Sequence, residues 1–112
     1  MKEIKFDDWQ KLDLRVGEIK KVEEIENADK LYKLEIDLGN ELGKRTLIAG
    51  IKEHYLQEKL IGKKVIVFCN LEPKTIRGIE SNGMILAAVT NNHKKVQILQ
   101  PDKDIELGSK VM

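Results

Sequence analysis

Four cations in two short stretches are the residues of this 112-residue chain best suited to engaging a partner. Lys30 and Lys33 follow the turn-forming Asn27-Ala28-Asp29, and Lys74 and Arg77 stand in a polar run beside Gly78 and Gly83. Ammonium and guanidinium groups donate readily to phosphate oxygens, and the planar fork of Arg77 suits two oxygens at once. The glycines allow close backbone approach or a positive φ, and serve equally as plain tight turns. Met84, directly after Gly83, offers a polarizable thioether either to a core or to the flat face of a base. The charge distribution agrees with a local positive field. Residues 42–79 carry eight basic and three acidic side chains, while the whole chain has 20 Lys+Arg against 19 Asp+Glu. A net charge of +1 excludes a polycation that coats DNA indiscriminately, but not a basic patch on a neutral protein. Arg77 also has a structural alternative, bracing its loop by pairing with Glu80.

The other reactive residue types point away from catalysis. His54 and His93 are far apart in sequence, with no Cys or carboxylate at ligand spacing, and read as surface histidines. Cys69 is the single cysteine, which excludes an internal disulfide and a multi-cysteine zinc site. It ends an apolar strand with no basic cluster to generate a thiolate, so it reads as an inert buried thiol. Ser81 stands in Glu80-Ser81-Asn82-Gly83, which lacks the glycine two residues before a nucleophile-elbow serine. The expectation is a binding protein with no catalytic residues, no metal and no cofactor. No apolar run approaches the ~20 residues of a membrane helix, and no apolar stretch follows the basic start. These features lead us to expect one cytoplasmic domain over residues 1–112, without a membrane partner.

The elements that must position the cations follow from periodicity. Phe6 to Leu12 reads as a short helix that Asp7 caps, with Gln10 three residues on. Leu14 to Ile25 reads as a long strand whose alternation slips near Gly17, as at a bulge. Tyr32, Leu34, Ile36 and Leu38 alternate with Lys33, Glu35 and Asp37, a half-buried strand. Gly39-Asn40 and Gly43 mark a hairpin turn into a third strand, Thr46 to Ile51. Lys52 to Ile61 suits a helix stopped by Gly62. Val65 to Cys69 is apolar on both faces and reads as a central strand. Leu71 to Asn82 is expected to be a polar loop, followed by strands Met84 to Val89 and Val96 to Leu99. This order predicts an all-β fold. It is a five-stranded OB-fold barrel with a short N-terminal helix and a helix between strands three and four. The loops joining strands one to two and four to five, which hold the cations, flank the nucleic-acid face of that fold.

Several motifs occur together and in one order. They are Leu14-Arg15-Val16-Gly17-Glu18-Ile19, Asn27-Ala28-Asp29-Lys30-Leu31-Tyr32, Asn70-Leu71-Glu72-Pro73-Lys74, Arg77-Gly78 and Ser81-Asn82-Gly83-Met84-Ile85-Leu86. In combination they resemble the tRNA-binding domain family. That family includes a free-standing bacterial tRNA-binding protein, the beta subunit or C-terminal domain of methionyl-tRNA synthetase, the export chaperone CsaA and the endothelial-monocyte-activating polypeptide II domain. The resemblance spans nearly the whole chain. It implies an OB-fold, binding to the outer corner of tRNA by shape, and often a homodimer. Carried over by position, it implies RNA contacts from Asn27, Lys30, Lys33, Arg45, Lys74, Arg77, Ser81 and Met84. Three positions depart from the family pattern. Ile25-Glu26 replace a His-Pro, Ala49 replaces a Ser, and Ile76 replaces a common Met.

The leading expectation is a structure-specific tRNA-binding module, free-standing or joined to an aminoacyl-tRNA synthetase, in particular as a methionyl-tRNA synthetase beta subunit. The alternatives are a CsaA-like export chaperone and a dimerisation subunit with little RNA affinity of its own. A homodimer is expected because Val96 to Leu99 and Lys110-Val111 would leave sheet edges bare, and because Trp9 and Leu12 share a helix face.

Overall fold

The computed structural model describes all 112 residues. Its elements in chain order are α1 (Phe6–Trp9), β1 (Leu14–Glu24), β2 (Tyr32–Asp37), β3 (Lys44–Ala49), α2 (Gln57–Leu60), β4 (Lys64–Phe68), β5 (Lys74–Ile76), β6 (Ile79–Ser81), β7 (Met84–Ile85), β8 (Ala87–Val89) and β9 (Val96–Ile98). Five strands form one antiparallel sheet in the order β3-β2-β1-β4-β7, and β5–β6 and β8–β9 form two separate hairpins. The sheet curls into a nearly closed barrel, the OB-like plan that the element order implies.

β1 is the axis of the barrel. Its first half, Leu14 to Glu18, pairs with β4, and its second half, Glu18 to Glu24, pairs with β2. The register slips between Ile19 and Lys21, so the bulge lies after Gly17 rather than at it. Gly17 has a different task. A Cβ there would sit 2.6 Å from Ile36 Cγ2 and 2.9 Å from Leu38 Cδ2, so only glycine lets the strands cross the core at this point.

The alternation of β2 is realised residue by residue: Tyr32, Leu34 and Ile36 are buried, and Lys33, Glu35 and Asp37 are half-buried. Its inward residues join Leu47, Val65, Val67 and the fully buried Leu60 of α2 in the main core. Each such aliphatic side chain contributes roughly 1.5–3 kcal/mol through burial. Tyr55, before α2, ties two walls together. Its carbonyl accepts from the Tyr32 hydroxyl at 2.8 Å, and its hydroxyl accepts from the Ile98 N–H at 3.0 Å. Cys69 is buried in the same core, and burial pushes its thiol above the ordinary range.

Four expectations are corrected. The segment Leu71 to Asn82 is not a loop, because it contains the β5–β6 hairpin. Its turn is Arg77-Gly78, with φ of +54° and +77°, the two left-handed residues of a type I′ turn. The helix expected over Lys52 to Ile61 shortens to Gln57–Leu60, because residues 52–54 form a separate turn and Leu56, extended at φ −76° and ψ 149°, interrupts the helical backbone. Asp7 lies inside the first turn of α1; Lys5 is the N-cap and makes no side-chain cap. The chain end is not a bare edge. Arg15 bridges Lys110, and Val111 N–H donates to the Leu14 carbonyl at 2.8 Å.

The segment that closes the barrel runs from Ile79 to Ile85. Asn82 N–H donates to the Thr46 carbonyl of β3 at 2.9 Å, and Met84 and Ile85 pair with Phe68 and Val67 of β4. Gly83 is the corner between the two walls, at φ +131°.

Candidate nucleic-acid interface

The β5–β6 hairpin stands against β3, and the candidate residues line three recesses on this side of the barrel. The first, of about 450 Å³, brings together Asn27 from the β1–β2 turn, Lys33 from β2 and Arg77 from the hairpin tip, with Ile25 and Ile79 beneath them. Glu23, the cross-strand partner of Lys33, lines it together with Glu24 and Glu26. Glu24 is engaged elsewhere, since its carboxylate accepts from Lys52 Nζ at 2.6 Å. That hydrogen bond raises the Lys52 ammonium above its ordinary value.

The second recess holds Arg45 with Asn70, Glu72 and Asn82. Here the guanidinium has a structural partner, because Arg45 Nη1 donates to the Cys69 carbonyl. The third, of about 470 Å³, is mostly apolar. Met84, 44% exposed, lies in it with Ile48, Val89 and Val96. Both histidines, distant in sequence, line it. The topology brings them there by tying the β8–β9 hairpin to Tyr55, in the segment after β3, which no local spacing signals.

Lys30, exposed in the β1–β2 turn, and Lys74, exposed at the start of β5, do not line the first recess. The ion pairs of the chain engage Lys11, Arg15, Lys20, Lys44, Lys52 and Lys64. Lys30, Lys33, Lys74 and Arg77 keep their charged groups unpaired, so Arg77 does not brace the loop through Glu80.

Ser81 is placed differently from the other candidates. It is 5% exposed; its hydroxyl accepts from the Ile48 N–H at 3.0 Å and donates to the Gly83 carbonyl at 3.3 Å. It therefore pins the hairpin to β3 from inside. Ser81→Ala would leave the buried Ile48 N–H without an acceptor, at a cost of roughly 1–3 kcal/mol. Thermal unfolding should show that loss, while the salt dependence of RNA binding stays unchanged. Of the departures from the family pattern, Ala49 is packed with the core and Ile25 lines the first recess.

The backbone marks the same surface. Only three non-glycine residues adopt positive φ: Asn27 (+61°), Arg77 (+54°) and His93 (+58°). All three line the first or third recess. A left-handed L-residue costs roughly 1–2 kcal/mol, and such strain concentrates at functional sites.

Residues 14–110 match the model of the family described as "Putative tRNA binding domain". The chain belongs to the tRNA-binding domain family. It is 52% identical over 111 residues to the methionine–tRNA ligase of Pyrococcus horikoshii, covering 99% of this chain and 15% of that protein. The chain thus spans about one-seventh of the length of that ligase. Among solved structures, a methionyl-tRNA synthetase-related protein from Pyrococcus horikoshii superposes with a TM-score of 0.92 at 38% identity, covering all of both chains. The CsaA chaperone of Bacillus anthracis str. Ames superposes at 0.89 and 33% identity, covering 99% of this chain and all of that one. A tRNA-binding domain fold therefore carries the unpaired cations and the strained residues of this face.

Proposed function

We propose that this tRNA-binding domain grips folded tRNA at its outer corner, with phosphates held by Lys30, Lys33, Lys74 and Arg77. The observation that carries the reading is the first recess. Asn27, Lys33 and Arg77 converge there from three separate elements, two of them on strained backbone, with both cations unpaired. Asn27 adds an amide that donates to phosphate or ribose 2′-OH, and Met84 adds an apolar contact. Ser81 and Arg45 act by positioning, the first through Ile48 and the second through the Cys69 carbonyl. The groups come from separate elements of the barrel and aim at phosphate and ribose, which suits recognition of shape rather than base sequence. In the cytoplasm the domain works alone or with an aminoacyl-tRNA synthetase, methionyl-tRNA synthetase by similarity.

Full-length tRNA should bind better than single-stranded RNA of equal charge. Equal affinities would remove the tRNA reading and leave a generic OB-fold binder. The apolar third recess favours a second reading, a CsaA-like chaperone, and unfolded protein added as competitor in the same assay separates the two.

The domain also forms a homodimer in this reading, since Ile4, Phe6 and Trp9 expose apolar surface at the N-terminus. Light scattering at micromolar concentration should give twice the chain mass; a mass of 12.8 kDa would exclude the dimer.

A further inference from the structure

The segment from Thr90 to Lys95, at the tip of the β8–β9 hairpin, has no role in the reading so far. Residues 80–112 carry balanced charge, so nothing in the net count draws attention to it. The tip is nevertheless built with care. Thr90 N–H donates to the Lys95 carbonyl at 3.1 Å, and Lys95 N–H donates to Thr90 Oγ1 at 3.1 Å. Asn92 Oδ1 accepts from Thr90 Oγ1 at 2.7 Å and from Lys94 N–H at 3.0 Å. His93 is held at φ +58° with its N–H on the Thr90 carbonyl at 2.8 Å. These bonds fix the backbone and leave the Lys94 and Lys95 ammonium groups, both exposed, without an ion-pair partner.

The tip borders the apolar third recess: His93 and Val96, on either side of the two lysines, line it, and Lys94 and Lys95 line a neighbouring polar recess with Thr90, Asn91 and Asn92. The recess opens on the same face of the β2–β3 ladder as the first one. Ile48, in its wall, is the cross-strand partner of Lys33, and paired residues of an antiparallel ladder project from the same face. An apolar trough thus lies between two sets of unpaired cations, Lys33 and Arg77 on one side and Lys94 and Lys95 on the other. That alternation of charge, apolar slot and charge matches a nucleic-acid strand with one base turned out of its stack. An apolar peptide would fill the slot but leave the four cations unmatched.

We propose that the recess between the end of β3, β7 and the β8–β9 hairpin receives an unstacked nucleobase, and that Lys94 and Lys95 hold the phosphates beyond it. The base lies against Met84 and Val89, and the imidazoles of His54 and His93 edge the slot. The braced tip is pre-organised, so binding orders little new backbone. The inference rests on the tRNA-binding reading and extends its footprint to a second hairpin.

The test measures affinity against salt for an unfractionated tRNA pool with wild type, Arg77→Ala, Lys94→Ala/Lys95→Ala and Val89→Asp. The double lysine variant should lower the salt slope by about two, one per lost phosphate contact. Val89 is half-exposed, and a carboxylate there should weaken binding roughly tenfold or more by opposing phosphate, with thermal unfolding measured alongside to establish that the variant is folded. Single-stranded RNA of about ten nucleotides, within the span of an OB-fold, should bind wild type better than an abasic oligomer of equal charge. Val89→Asp should erase that preference. A double variant with an unchanged slope, beside an Arg77→Ala whose slope falls, overturns this inference alone. Equal binding of the two oligomers by wild type also overturns it. Loss of binding to an unfolded polypeptide in Val89→Asp with RNA affinity intact assigns the recess to peptide instead. Failure of wild type to bind the tRNA pool removes this inference together with the reading it rests on.

Discussion

Arg77→Asn should weaken tRNA binding by roughly tenfold or more while leaving the fold as stable as before or slightly more so. The two effects come from separate properties of the residue. Its guanidinium is unpaired within the chain and stands over a recess shared with Asn27 and Lys33. A charged hydrogen bond to phosphate is worth roughly 1.5–3 kcal/mol, which is one to two factors of ten in affinity. Its backbone is left-handed at φ +54°, as the first position of a type I′ turn requires. Asn accepts that conformation with less strain than Arg, so the hairpin loses nothing by the exchange. Affinity against salt should show the slope falling by about one, similarly for different tRNAs, because phosphate contacts carry no sequence information. Arg77→Lys keeps the charge and the slope but loses the two-oxygen geometry. A variant that unfolds earlier with an unchanged salt slope would make Arg77 a structural residue of the turn.

Gly83→Ala should be the most damaging single-methyl change in the closing segment. The residue sits at φ +131°, and a Cβ there would lie 2.8 Å from the Phe68 carbonyl oxygen and 3.2 Å from Leu47 Cδ2. The first of these is backbone in a paired strand and cannot swing aside. The cost is about 3 kcal/mol, the upper end for backbone held outside the region L-residues favour. For a domain of about 100 residues that corresponds to a Tm lowered by more than about 10 °C. Gly78→Ala is the internal comparison. It too has positive φ, +77°, but its Cβ would meet nothing within 4 Å. It should therefore cost only the left-handed strain, roughly 1–2 kcal/mol. Equal losses at the two positions would show that the carbonyl of Phe68 is not what excludes a side chain from the corner. Ser81 and Met84 flank Gly83, so Gly83→Ala should also lower RNA affinity at temperatures where the variant is folded.

Much of this protein is legible in its residues taken one stretch at a time. Tyr32 to Leu38 alternates because one face of β2 meets the core and the other does not, and period two reports that burial directly. Val65 to Val67 is apolar throughout because β4 lies between β1 and β7. Gly62 marks the end of α2, because the turn there needs φ +87°. The cations Lys30, Lys33, Lys74 and Arg77 and the family motifs around them are likewise local features. The β5–β6 hairpin escaped this kind of reading because its turn opens with Arg rather than Asn or Asp, and its strands are only three residues long.

What the residues do not carry is which groups meet across the barrel. Ser81 looks like a hydroxyl on a binding loop, and becomes an internal pin only because the closing segment sets it against the Ile48 N–H. Arg45 looks like one more cation, until the register of β3 against β2 points it at the Cys69 carbonyl. His54 and His93 share a recess because the β8–β9 hairpin is tied to Tyr55, next to His54 in the segment after β3. Burial repeats with the period of the strand and so is written along the chain. Partnership across the barrel depends on strand register, on the bulge between Ile19 and Lys21 and on the corner at Gly83, and these become definite only when the walls close on one another.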